Sequence, residues 1–407
     1  MAGTSQGPGL RADFVLRGAG RLVTCNPVAG EGLLGVVERG ALVASEGRVV
    51  WVGPERDLPE LAPAPDCAEV DAGGRAVLPG LVDAHTHLVF AGDRAEEFAA
   101  RLRGEPYTGG GIGSTVAATR AATDDELRAL ARTRLDVFAA HGVTTVEAKS
   151  GYGLTPEDER RLLRIAATLE HPVEVVRTFL GAHVVPESYA DDPDGYVDLV
   201  CDGMLPEVGN LAEFCDVWCD PAAFTPEQTR RILRAARTQG LGLKVHAEQL
   251  ARTGGAQVAA EFGAVSADHL EHATEEDALA LARSRTVAVL LPGASLATGK
   301  FAPARMLLEH GVRVALSTDL NPGSSFTENL QLMVQLACAH LRMSPDEAIL
   351  GVTRNAAAAL SREGRVGSLE PGAACDLVVL EAEHEVQLAY HYGVNLVRLV
   401  IKAGREA

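Results

Sequence analysis

What most constrains this 407-residue chain is a long alternation of short apolar runs with amphipathic helices. Runs of apolar and β-branched residues fall at Leu81–His87, Val143–Ala148, Val173–Phe179, Phe214–Trp218, Leu243–His246, Val265–His269, Val287–Leu291 and Val312–Ser317. Runs of this length and content read as strands buried on both faces. Strong helix formers lie between them, as in Asp125–Ala140 and Thr225–Gln239. The second opens Thr225-Pro226-Glu227-Gln228, a capping hydroxyl followed by a first-turn proline. Eight strands alternating with helices predict an α/β fold, a parallel (β/α)8 barrel. An open doubly wound sheet is the other arrangement this count allows.

The flanks read differently. Phe14–Leu16, Gly35–Val37, Ala41–Val43 and Val49–Val52 are short β elements separated by glycine and polar turns, and the Pro-rich stretch Leu58–Asp66 reads as a loop. Beyond a helix opening at Ser344-Pro345-Asp346-Glu347, strands return at Gly372–Leu380 and Val397–Lys402. Residues 1–79 and 366–407 are therefore expected to form one small composite β domain, bracketing a barrel of residues 80–365. Hydrophobic residues make up 47% of the chain but aromatics only 4%, so Ala, Val and Leu must fill the core. A formal charge of −18 argues against a nucleic-acid partner or an anionic membrane surface, both of which reward a cationic face.

No run of apolar residues is long enough to span a bilayer, and the N-terminus lacks a charged segment followed by an apolar one. The seven cysteines are odd in number and scattered, which suits free thiols in a reducing compartment. A cytoplasmic location is the expectation. Cys215-x-x-x-Cys219 has no second Cys or His pair nearby and reads as core thiols.

In a parallel barrel the working side chains stand at the C-terminal strand ends. The first strand ends Asp83-Ala84-His85-Thr86-His87, and alternation points His85 and His87 the same way. The fifth ends Lys244-Val245-His246, and the eighth runs into Ser317-Thr318-Asp319. Any one of these histidines alone would suit strand capping or a backbone hydrogen bond. Three imidazoles and a carboxylate at strand ends in barrel order suit a borderline divalent ion, zinc or iron, with room for a water. His269 ends the sixth strand, where it can stabilise an oxyanion or move a proton. His272, three residues on, reads as a surface or supporting residue.

Pro79-Gly80-Leu81-Val82-Asp83-Ala84-His85-Thr86-His87 resembles the opening motif of the amidohydrolase superfamily, and Ser317-Thr318-Asp319 its closing one. Further stretches are similar to the imidazolonepropionase family: Phe90-Ala91-Gly92-Asp93-Arg94, Gly109-Gly110-Gly111-Ile112, Glu147 through Leu154, and Phe179-Leu180-Gly181-Ala182-His183. So are His246-Ala247-Glu248-Gln249, Asp268-His269-Leu270 and Asp319 through Ser324, and together they span most of the chain. The resemblance implies a barrel carrying a β-sandwich made from both chain ends, and a homodimer. It implies hydrolysis of a cyclic amide, opening the ring of 4-imidazolone-5-propanoate to N-formimidoyl-L-glutamate in histidine degradation. Arg94 would clamp the substrate carboxylate, joined by Tyr107, Tyr152 and His183. Asn321, Gly323 and Ser324 would line the site.

Asp319 would take the proton of the attacking water while ligating, with His269 serving the oxyanion or the departing ring nitrogen. Gln249 cannot act as a general base, so hydrogen bonding to the ring is its expected part. Dinuclear relatives usually carry a carboxylated lysine at the end of the fourth strand, where this chain has Trp218-Cys219-Asp220. Lys149 lies on the second strand instead, and one ion per subunit is expected. The stretch Tyr107–Gly109 is shorter than the family pattern. A related deaminase acting on a nucleobase-like ring would use the same ligands, but an uncharged base needs no carboxylate clamp such as Arg94, with Tyr152 and His183 beside it.

Overall fold

The computed structural model describes residues 9–104 and 111–407. The first five strands are β1 Leu10–Val23, β2 Val36–Ser45, β3 Arg48–Pro54, β4 Leu61–Asp71 and β5 Ala76–Pro79. Eight short strands follow: β6 Leu81–Asp83, β7 Val143–Lys149, β8 Glu174–Ala182, β9 Phe214–Cys219, β10 Gly242–Ala247, β11 Ser266–His269, β12 Val287–Leu290 and β13 Val314–Leu316. The last three are β14 Leu377–Leu380, β15 Val397–Lys402 and β16 Arg405–Glu406.

Strands β6 to β13 pair in sequence order, each parallel to the next. The ring closes between its ends through a parallel bridge of Thr86 with Leu320. Asp319 N donates to His85 O at 3.0 Å, and His87 N donates to Leu320 O at 2.9 Å. The closed barrel, and not the open sheet, is the arrangement formed.

Helices pack outside, and the cap expected at Thr225 is formed. Thr123 opens Asp124–Ala140 and Thr225 opens Pro226–Thr238, each with a reciprocal capping box to Glu126 or Gln228. The second helix buries Ile232, Leu233 and Ala236 against the strands while its arginines face outward.

Both chain ends share the other sheet, ordered β16-β15-β14-β5-β1-β2-β3. Long β1 pairs with β4 along its first half and with β5 at Arg21 and Leu22. Phe14, Leu16, Leu22, Leu42, Val77, Leu377 and Ile401 form its buried core. The loop expected at Leu58–Asp66 is overturned, because residues from Leu61 onward form β4. No β4 residue is buried, and Pro63 and Pro65 offer no N–H, so the strand fits only on a sheet edge. A Pro-rich run conceals such a strand from composition alone.

Arg21 on β1 reaches across the chain to buried Glu385, with Nη2–Oε1 at 2.7 Å and Nε–Oε2 at 2.8 Å. Burial works to raise the Glu385 pKa, but the Arg21 hydrogen bonds and charge outweigh it and hold the carboxyl below its ordinary value. A depressed folded-state pKa adds stability that is present above the unfolded value and lost as pH falls through the folded one. Glu385→Gln should therefore cost about 1 kcal/mol at pH 7. The deficit relative to the parent should shrink in urea titrations as pH falls below roughly 4.

Candidate active site

Closure of the barrel sets the first and last strand ends side by side. His85 Nε2 and His87 Nε2 lie 3.5 and 3.6 Å from Asp319 Oδ1. The His85 and His246 rings stand 4.5 Å apart between centroids, and His269 lies 5.3 Å from His246. Three triads among the described residues share His85: it stands with His87 and Asp319, with His246 and His269, and, on its inner side, with Glu147 and Asp268, the ligand atoms of each lying within 4.8 Å of one another. All of these side chains are buried. His85 Nε2 and His246 Nε2 have no hydrogen-bond partner among the described residues. Buried polar atoms are rarely left so, and converging imidazole nitrogens beside a carboxylate fit a borderline divalent cation. The chain here is strained: His269, Leu270 and Asp319 have φ of 78°, 68° and 52°, a conformation that L-residues adopt at a cost. Cys215 and Cys219 take no part in these groups.

Beneath the ligands lies a charged floor. His85 Nδ1 sits 2.6 Å from Asp268 Oδ2, and His246 Nδ1 sits 3.0 Å from Asp216 Oδ2. Lys149 Nζ reaches both carboxylates, at 3.4 Å to Asp268 and 2.6 Å to Asp216, and Glu147 at 2.9 Å. Lys244 Nζ holds the other Glu147 oxygen at 2.7 Å. These five side chains are wholly inaccessible to solvent. Burial would strip the Lys149 proton, but Asp216, Glu147 and Asp268 outweigh it and raise its pKa. Asp83, one step nearer the seam, accepts from Thr318 Oγ1 at 2.6 Å, and burial pushes its carboxyl up to about 7.

Above the ligands is a cavity open to solvent and lined by Arg94, Tyr152, His183, Trp218, Gln249 and Asn321 among others. Arg94 is buried and holds Glu97 with two parallel hydrogen bonds of 2.6 Å. Its remaining amino group lies so close to Gly323 that a Cβ there would collide with it. Asn321 folds the last loop: its Oδ1 accepts from Gly323 N and Ser324 N at 2.7 and 2.8 Å, and Ser324 Oγ lies 3.4 Å from Asp319 Oδ2.

His183 Nδ1 is 3.0 Å from the Gly151 carbonyl, which can only accept, so Nδ1 carries the proton and Nε2 is left as an acceptor. Burial, with His246 nearby, lowers the His183 pKa to about 3. Burial raises Asp319 to about 6, tempered by His269 and His246. For His269 burial acts downward, but Glu271 at 3.5 Å outweighs it and raises the pKa.

The amidohydrolase family model matches residues 76–406 of the chain. An imidazolonepropionase of Salinispora arenicola is 51% identical over 388 residues, covering 95% of this chain and 96% of the relative. One from Geobacillus kaustophilus is 49% identical over 385 residues, 91% of each. The chain belongs to the amidohydrolase family, and within it to the imidazolonepropionases. More distant structures share the fold. A zinc-bound adenosine deaminase from Xanthomonas campestris superposes with a TM-score of 0.74 at 19% identity, covering 98% of this chain and 93% of its own. Molinate hydrolase does so at 0.68 and 19%, covering 99% and 95%. At such identity the likeness speaks for the fold alone.

This amidohydrolase thus brings His85, His87, His246, His269 and Asp319 together, with Arg94, Tyr152, His183, Gln249 and Asn321 on the cavity wall. Ser324 touches Asp319 from the side, and Gly323 backs Arg94. Tyr107 lies outside the described residues. His272 points to Lys300 Nζ at 2.8 Å instead of the cavity, as its reading as a surface residue implied. The sequence reading missed Asp216, Asp268, Glu147, Lys244 and Glu271. Alternation held a signal, since Lys244 and Glu147 stand two residues from His246 and Lys149 on their strands.

The Gly-rich segment around Tyr152 is pinned. The buried Glu159 carboxylate accepts from Gly151 N at 3.0 Å and from Gly153 N and Leu154 N at 2.8 Å each. Glu159→Ala strands those buried N–H groups and should cost about 3 kcal/mol in a urea titration. It should also raise KM by loosening Tyr152, whereas Asp158→Ala, on the half-buried helix start, should leave KM within about twofold.

Proposed function

We propose that this protein opens the ring of 4-imidazolone-5-propanoate by hydrolysis, giving N-formimidoyl-L-glutamate in histidine degradation. The observation that carries the reading is a buried arginine, Arg94, in the wall of a cavity floored by convergent imidazoles, in a chain about half identical to imidazolonepropionases. Arg94 is the group for the carboxylate tail, its planar fork already oriented by Glu97. Tyr107, Tyr152 and His183 complete the tail and ring contacts, and the His183 Nε2 acceptor suits a ring N–H. Asn321, Gly323 and Ser324 shape the wall opposite.

His85, His87, His246 and Asp319 are the residues that would hold one zinc or iron ion. Bound there, such an ion supplies Lewis acidity toward a water and toward the lactam carbonyl. Lys149 is engaged by three carboxylates as an ammonium, which favours a single ion over a pair bridged by a lysine carbamate. Asp319 receives the proton of the attacking water. His269, braced by Glu271, faces the carbonyl oxygen as charge develops and passes a proton to the ring nitrogen as the C–N bond breaks. Gln249 donates to the ring and holds it over the ligands. We place the protein in the cytoplasm as a homodimer. Among the described residues no helix is long and apolar enough to cross a membrane.

Chelator-treated protein should lose ring opening and regain it with zinc or iron, and His246→Ala should not regain it. Turnover of purines or pyrimidines by deamination, with 4-imidazolone-5-propanoate untouched, would overturn the assignment. Arg94→Ala should cost roughly 10- to 100-fold in kcat/KM on the propanoate substrate, the worth of a charge-assisted pair. On an analogue lacking the carboxylate the same variant should lose less than about threefold.

A further inference from the structure

The barrel floor holds three carboxylates and two ammonium groups that neither touch the cavity nor fill an apolar core. Their arrangement is ordered. Each of two histidines rests its Nδ1 on a different carboxylate, His85 on Asp268 and His246 on Asp216. Those carboxylates come from β11 and β9, with β10 between them. Lys149, entering from β7, is the one cation among the described residues that contacts both. Lys244 is equally buried but contacts Glu147 and the Ala84 carbonyl, not Asp216 or Asp268.

We propose that Lys149 is a positioning residue for the metal centre, clamping Asp216 and Asp268 so that His246 and His85 both turn Nε2 toward a shared ion. The inference rests on the ligand set proposed above. Two unneutralised carboxylates packed this close would repel and tilt apart, and each imidazole would follow its own partner. The Asp268 hydrogen bond fixes which His85 nitrogen carries the proton, Asp216 stands 3.0 Å from His246 Nδ1, and the lysine fixes where both carboxylates stand. Glu147 and Lys244 complete the neutralisation and leave one net negative charge, matched to a divalent cation above.

The test compares zinc affinity, by competition with a chromophoric chelator, for the parent, Lys149→Met, Lys149→Gln and Lys244→Met. The visible spectra of the cobalt-loaded proteins are recorded alongside, with circular dichroism and melting to confirm folding. Both Lys149 variants should bind zinc about 10- to 100-fold more weakly and show altered cobalt bands. Lys244→Met removes an equally buried charge of the same cluster, but one that touches neither Asp216 nor Asp268, so its loss should be the smaller one, roughly threefold. Parent-like affinity in a folded Lys149 variant overturns the proposal, as does an equal loss in Lys244→Met. If neither Lys149 variant folds, Asp268→Asn decides: weakened zinc binding with altered bands supports the clamp, and parent-like binding overturns it. A parent that binds no zinc, iron or cobalt would instead sink the ligand assignment itself, a distinct result.

Discussion

The hydrogen bonds that close the barrel between β6 and β13 are the same ones that assemble the site. Asp319 N donates to His85 O, His87 N donates to Leu320 O, and Thr318 Oγ1 donates to Asp83. Residues about 235 positions apart in sequence are thereby fixed within a few ångströms, and their side chains converge because strand pleating leaves them no other face. An open sheet of the same strands would separate His85 and His87 from Asp319 by the full sheet width. Ring closure and ligand convergence are one event.

Closure also creates an interior that must be filled, and at the catalytic end it is filled with charge. Burying an ion is costly unless its partners are close and complete, and here each ammonium meets carboxylates within hydrogen-bond range. Replacing the whole cluster by hydrocarbon could preserve or improve stability, so stability alone does not account for it. Orientation of the histidines does, because a neutral imidazole has two nitrogens and only an external partner selects one. The strain at His269 and Asp319 sits at or just past the strand ends above the floor, where a rigid floor can hold it.

Much of this was legible in the residues. Strand runs, helix caps and the His85, His87, His246 and Asp319 pattern each follow from local periodicity, and each depends on only a few neighbouring positions. What escaped depends on distant partners. Lys149 reads as an ordinary lysine until β9 and β11 bring Asp216 and Asp268 beside it. The Gly-rich run around Tyr152 gives no hint of its anchor until Glu159, further along the chain, takes up its backbone N–H groups. Leu58–Asp66 reads as a loop because its prolines forbid a central strand, and edge strands follow a looser rule.

The floor and the walls come from different parts of the chain: the floor from strand interiors, the walls largely from the segments that follow strand ends. Arg94, Tyr152 and Asn321 belong to segments outside the ring of paired strands, and each is secured by a local partner such as Glu97 or Glu159. Such a division lets substrate choice drift without disturbing how a metal is held. An experimenter seeking a new cyclic amide as substrate would graft whole loops with their anchoring carboxylates attached, and leave every inward-facing charge on β7, β9, β10 and β11 in place.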